Sequence, residues 1–354
     1  MAVPLQERLT LMWHNHFATS NLKVNNLHQM KHQNETLRSH AQAPFGALLH
    51  AMIRDPALLF WLHAPANRKG HPNENLAREL MELFSIGIGN YTEQDVKEAA
   101  RTLTGWTIRN GRFEERPALH NTESKTVLGQ SGHWSGNDLV GILLQHPATA
   151  KRLAWRLTEE FFGENVVSQD AHSGLVEILR SNNLDIGSTV EIMLRSELFF
   201  SDANLRSRIC DPVSFLVAPL RALDCLRPPP STLIMAEWLK RMGQDLFYPP
   251  NVGGWNGGHS WLSTRTVIAR TNYTAALAAG KLHSPNHKPD LSRLFQAHSD
   301  EANETDAGTF FAQVLGIESH DRATRHIAEQ VKTEKDQFAA IVVALMTRPE
   351  AHLH

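Results

Sequence analysis

Four stretches of this 354-residue chain hold side chains able to do chemistry. The first is WHNHF at 13–17, where His14 and His16 flank an asparagine. Two imidazoles could chelate a metal or share a proton, provided the backbone points them the same way. The second is PNENLARELMEL at 72–83, which supplies Asn73, Glu74, Asn75, Arg78, Glu79 and Glu82. Carboxylates beside a guanidinium are the parts of an acid–base site or a metal site, and Glu74 and Glu79 are the first to test. The third is His120-Asn121 with Lys125, where a loop histidine could act as base or ligand, or simply face solvent. The fourth is FYPPNVGGWNGGHSW at 247–261. Its prolines stiffen the loop and its glycines admit close backbone approach, while Trp255 and Trp261 could stack on a sugar or pack on helices.

The elements that must position these groups are mostly helical. Leu9, Met12, Trp13, His16 and Phe17 fall on one face of a helix over 5–17. Helical residues two apart diverge by about 200°. His16 therefore joins the apolar face and His14 points roughly opposite, so a two-histidine chelate from this helix is disfavoured. FGALLHAMIR, DPALLFWLH with Asp55 as N-cap and Pro56 at its first position, and NENLARELMELFSIG ending at Gly87 read as further helices. On the last, Arg78–Glu82 and Asn75–Glu79 are spaced to pair at i+4. Thr92 to Asp95 resembles a capping box. At about 106–130 the pattern changes. Asn110-Gly111 between short β-type runs predicts a hairpin, and ESKTVLG a third strand. Helices resume at Pro147–Gly163, about 172–181, 188–200, 211–225 and 232–243, then after the Trp/Gly loop, at Leu291–His298, and in three tail segments, AGTFFAQVLG, RATRHIAEQV and DQFAAIVVALM. The expected fold class is mainly α, with a small β-hairpin insertion at about 106–130. The expected division is a helical domain over 1–280 and a helical extension over 281–354.

Composition limits the function classes. The net charge is −2, with 42% hydrophobic and 20% charged residues, which fits a folded globular chain and gives no basic surplus for nucleic acid. No apolar run reaches the ~18 residues of a membrane helix. The start MAVPLQERL has no signal-peptide pattern. Cys210 and Cys225 could form a disulfide or stay as buried thiols. The chain is histidine-rich, with twenty. There is no HExxH, G-x-S-x-G, CxxCH or phosphate-loop context, so no haem or nucleotide motif is present, while a divalent metal stays open.

Read together, MWHNHFATSNLKV, TLRSHA, DPALLFWL, NRKGHPNENLARELMELFSIGIGNYTEQDVKEAARTLTGW, the HN–K–LG segment and MGQDLFYPPNVGGWNGGHSW resemble one family, the bacterial domain of unknown function 1800 (DUF1800), over about 5–280. The family has no established activity. The resemblance implies an exported protein, periplasmic or at the cell surface, often encoded beside a DUF1501-family protein that is a candidate partner. It also implies a segment ahead of WHNHF that this chain lacks, as from a late start or a truncation. Members often have His-Asp where His120-Asn121 stands here, which weakens an acid–base role at that position.

Two functional readings follow. In one, the chain is an export-associated binding or assembly component, with Trp255 and Trp261 in a contact surface. In the other it is a metal-dependent or acid–base hydrolase. His16, Arg78, Glu79 and His120 would then be catalytic, and His14, Arg38, Asn73, Glu74 and Asn75 would complete the pocket.

Overall fold

The computed structural model describes residues 4–298, 307–317, 326–327, 329–331 and 335–354. The fold is mainly α with a small β insertion, as the sequence pattern predicts, and the insertion consists of two antiparallel hairpins rather than one. It divides into two compact units. The first is Met1–Ala203 with Phe247–Trp255, and the second is Asn204–Leu246 with Asn256–His354. The sequence reading put the division near residue 280. The contacts instead group residues 204–246 with the tail and return 247–255 to the N-terminal body.

The first unit opens with α1 (Pro4–His16), α2 (Asn21–Val24), α3 (Leu27–Ser39), α4 (Phe45–Met52) and α5 (Pro56–Trp61). Asp55 caps α5 by accepting from Leu58 N at 3.0 Å, with Pro56 at the first position, where a missing N–H costs nothing. α6 (Asn75–Glu79) is shorter than its sequence predicts, because Leu80–Phe84 continues as a π turn. The Ser85 hydroxyl donates to Leu80 O at 2.6 Å, and Ile86 N and Gly87 N both reach Met81 O. α7 (Glu93–Thr102) starts on the expected capping box of Thr92 and Asp95.

β1 (Trp106–Arg109) and β2 (Arg112–Glu115) pair through Asn110 and Gly111, both at positive φ as a two-residue hairpin of this kind requires. The third predicted strand, β3 (Lys125–Val127), does not join them. It forms a separate hairpin with β4 (Gln130–Gly132) and is held to α7 by Thr126 N donating to Glu98 at 3.1 Å and Leu128 N to Asp95 at 2.7 Å. α8 (Gly136–Gln145), α9 (Pro147–Phe161), α10 (Gln169–Ser181) and α11 (Ile186–Leu194) complete the unit. Its core runs from Leu9, Trp13 and Phe17 through Phe45, Leu80 and Phe84 to Leu153 and Leu157.

The second unit comprises α12 (Pro212–Ala222), α13 (Thr232–Arg241), α14 (Thr264–Ala278), α15 (Leu291–Gln296), α16 (Ala307–Val314) and α17 (Gln337–Met346) around Phe215, Tyr273, Phe311 and Ile341. Half of the helix predicted for RATRHIAEQV, residues 322–325 and 328, lies outside the described residues. Leu353 bridges Ile209, and the buried Arg270 guanidinium donates to Cys210 O at 2.7 Å. Cys210 and Cys225 are both buried and are not joined in a disulfide.

Candidate functional site

WHNHF sends its side chains in two directions, Trp13, His16 and Phe17 into the core and His14 and Asn15 to segment 247–255. Trp13 Nε1 donates to Ala41 O at 2.9 Å, and Phe17 is fully buried in the core. His16 Nε2 lies 3.1 Å from Phe84 O at the end of the π turn, so this nitrogen carries the proton. Burial, aided by the Arg156 guanidinium, lowers His16 to about 3. His14 does point away from His16, but it does not reach solvent. Segment 247–255 covers it, with the Phe247 ring 5.0 Å and the Trp255 ring 5.9 Å from its own. Neither ring nitrogen of His14 has a hydrogen-bond partner among the described residues, and burial lowers it to about 4. Asn15 clamps the same segment. Its Oδ1 accepts from Trp255 N at 2.7 Å and its Nδ2 donates to Trp255 O at 3.2 Å. Gly254 sits so close that a Cβ there would stand 2.6 Å from Asn15 O.

The other sequence candidates are dispersed. Arg38 is taken by Glu7 at 2.7 Å and Glu35 at 2.9 Å. Arg78 does not pair with Glu82. It bonds Glu74 at 3.0 Å and Glu93 at 2.7 Å, because the π turn carries Glu82 round to accept from the Tyr91 hydroxyl at 2.8 Å. Nor does Asn75 pair with Glu79. Asn75 Nδ2 lies 3.3 Å from His63, and Asn73 N donates to the buried Asn67. His120 Nδ1 donates to Thr104 O at 3.0 Å and Asn121 N to the Thr104 hydroxyl at 2.8 Å. Lys125, buried in β3, donates to Glu123 O. The His120 and Asn121 bonds fasten the loop to Thr104, just after α7, and the Lys125 bond stays within the segment leading into the second hairpin. Trp255 is buried in the first unit and Trp261 in the second, where its carbonyl accepts from Thr266. Among the described residues, no group of three or more His, Cys, Asp and Glu could hold a metal ion.

The chemistry that does gather lies beside the π turn. A cleft of about 360 Å³ is lined by Glu82, Leu83, Ile86–Ile88, Asn90, Ala148, Lys151 and Arg152. Gly87 and Gly89, at φ 80° and 86°, let the chain turn tightly, and Asn90 Nδ2 ties it by donating to Ile86 O at 2.8 Å. From α9, Arg152 lies across the face of Trp155 at 4.7 Å and against Gly87. Its Nε is buried with no hydrogen-bond partner among the described residues. Burial pulls the Arg152 pKa down and the Glu82 carboxylate opposes this, so the guanidinium sits in a poorly hydrated place. Two cations therefore face a single carboxylate, one oxygen of which Tyr91 already holds. Burial and Glu82 push the Tyr91 phenol up to about 12. Glu79, next along, is raised by burial first and by Glu82 second.

Sequence reasoning missed Lys151 and Arg152. The signal was present in HPATAKRLAWRL, where Arg152 and Arg156 stand four apart on a helix whose neighbours Leu153 and Leu157 are core.

The fold and this cleft define a mainly helical protein with a cationic pocket at a π turn. A family model described as "Protein of unknown function (DUF1800)" matches residues 2–353, so the chain belongs to the DUF1800 family. No curated protein and no solved structure matches it.

Proposed function

We propose that this chain is a binding component that takes a small anionic ligand in the cleft beside the π turn. One observation carries the reading: Arg152 Nε is buried without a hydrogen-bond partner among the described residues, at a wall where Lys151 adds a second cation. A buried charged donor left unbonded is costly, and an anion in the cleft would satisfy it. The apolar wall of Leu83, Ile86 and Ile88 suits a ligand with a short hydrocarbon portion. The export and the DUF1501-family partner implied by the family resemblance are part of this proposal. The test is thermal unfolding of the full chain with phosphate, sulfate, acetate or citrate. At ten times its Kd a bound anion adds about 1.4 kcal/mol, or about 3–6 °C for a unit of this size. Arg152→Met should abolish the shift. No shift with any of the four at tens of millimolar defeats the proposal.

A hydrolase is the second reading, favoured by Glu79, whose raised pKa beside Glu82 suits proton transfer. It has less support at the histidines. His14 and His16 are enclosed, and His120 is bonded to the Thr104 backbone. Hydrolysis of a model ester or phosphoester that Glu79→Gln abolishes would favour this reading over binding alone.

A further inference from the structure

We propose that one corner of the first unit is a peripheral docking surface for an anionic lipid bilayer. The corner is made by α2, the start of α3, the segment from Phe60 to Asn73, and the tip of the β1–β2 hairpin. The sequence is unusual there. Residues 22–32, 60–73 and 109–112 contain no Asp or Glu, yet they carry Lys23, Lys31, Arg68, Lys69, Arg109 and Arg112. In a chain of net charge −2 this is a local surplus of positive charge.

The fold brings these stretches side by side. Lys23 Nζ on α2 donates to Trp61 O and lies 2.9 Å from His63 Nε2, which joins α2 to the segment after α5. At the hairpin tip, a Cβ on Gly111 would lie 3.8 Å from the Gln29 amide of α3. Lys31, Arg68, Lys69 and Arg112 are exposed, and none has a carboxylate at ion-pair distance among the described residues. Arg109 reaches Glu114 at 3.5 Å and is the exception.

Among these cations stand bare hydrocarbon side chains. Leu22 is 79% exposed and Leu27 75%, on either side of the turn at Asn25, whose φ is 46°. Phe60, next to the carbonyl that Lys23 holds, is 45% exposed. Two exposed leucines flanking one turn, with Lys23 between them in sequence and exposed cations on the neighbouring stretches, match a headgroup region. The leucines would enter the acyl boundary while Lys and Arg meet lipid phosphates. A nucleic acid would satisfy the cations but leave Leu22 and Leu27 exposed to water. No helix among the described residues is long and apolar enough to cross a membrane, so the contact proposed is peripheral.

The experiment is flotation of the full chain with vesicles of phosphatidylcholine, alone or containing about a third phosphatidylglycerol, at low and high salt. The expected result is binding to the anionic vesicles that weakens with salt, and little binding to phosphatidylcholine. Two variants carry the test: Leu22→Gln with Leu27→Gln, and Lys31→Gln, Arg68→Gln, Lys69→Gln and Arg112→Gln together. Each should lower vesicle affinity at least tenfold while the circular dichroism melt stays that of the parent. Absence of binding to anionic vesicles at low salt overturns the proposal. So does binding indifferent to the leucine changes, which would point to a polyanion such as RNA or an acidic protein.

Discussion

Gly254→Ala tests whether the Asn15 clamp holds segment 247–255. Gly254 has φ 78°, a left-handed conformation that costs an alanine about 1–2 kcal/mol. The added methyl would stand 2.6 Å from Asn15 O, and closer still to Oδ1, so either the last turn of α1 or the segment must move. Movement breaks the two bonds between the Asn15 amide and the Trp255 backbone, each contributing about 1 kcal/mol. The sum is about 3–4 kcal/mol. For a unit of this size that lowers the Tm by about 6–16 °C. Asn15→Ala alone removes only the two bonds, about 2 kcal/mol. Because the two residues share one contact, the double variant should lose less than the sum of the singles. Urea unfolding followed by tryptophan fluorescence supplies the free energies. A loss under about 1 kcal/mol for Gly254→Ala, or strict additivity with Asn15→Ala, would refute the clamp.

Acid should weaken the first unit. His14 and His16, lowered to about 4 and about 3, stay neutral in the fold while the unfolded chain takes up protons near 6.5. Their contribution is therefore complete above about pH 6.5 and is lost as pH falls towards 4, by about 1.4 kcal/mol per pH unit for each histidine. His352, lowered to about 4 by burial, adds the same trend to the second unit. Urea midpoints at about pH 7.5 and 5.0 check this, and His14→Phe should flatten the dependence; a flat parent profile would contradict the assignment. Glu79→Gln should leave the Tm unchanged or raise it, because burial and Glu82 disfavour the charged form that the amide replaces. A fall of several degrees would mean that the carboxylate has a bonded partner.

What could be read from the sequence was what neighbouring residues decide. Asp55-Pro56, Thr92–Asp95 and Asn110-Gly111 each dictate a cap or turn within four residues, and each forms as predicted. The π turn was not legible in NENLARELMELFSIG, whose periodicity continues through it. The break depends on Ser85 reaching back to Leu80 and on Met81 O serving two later amides. That break moves Glu82 away from Arg78, so the helical wheel misassigned the ion pairs. The helix alone sets His14 roughly opposite His16 and says nothing of what meets it there, because its cover comes from Phe247 and Trp255, more than 200 residues downstream. Arg152 was overlooked because cations in an amphipathic helix look like a solvated face until their burial is known.

The Asn15 clamp also has a consequence in time. Its partner Trp255 lies 240 positions downstream. At about 5–20 residues per second, roughly 12–50 s of synthesis separate the two halves of the contact. Throughout that interval the His14 face of α1 is a water-exposed apolar seat on a nascent chain, open to chaperones and to wrong partners. It closes only after Asn204–Leu246, the opening stretch of the second unit, has been made. The two units are therefore completed in interleaved order, and a fragment ending at residue 203 would be left with its seat empty.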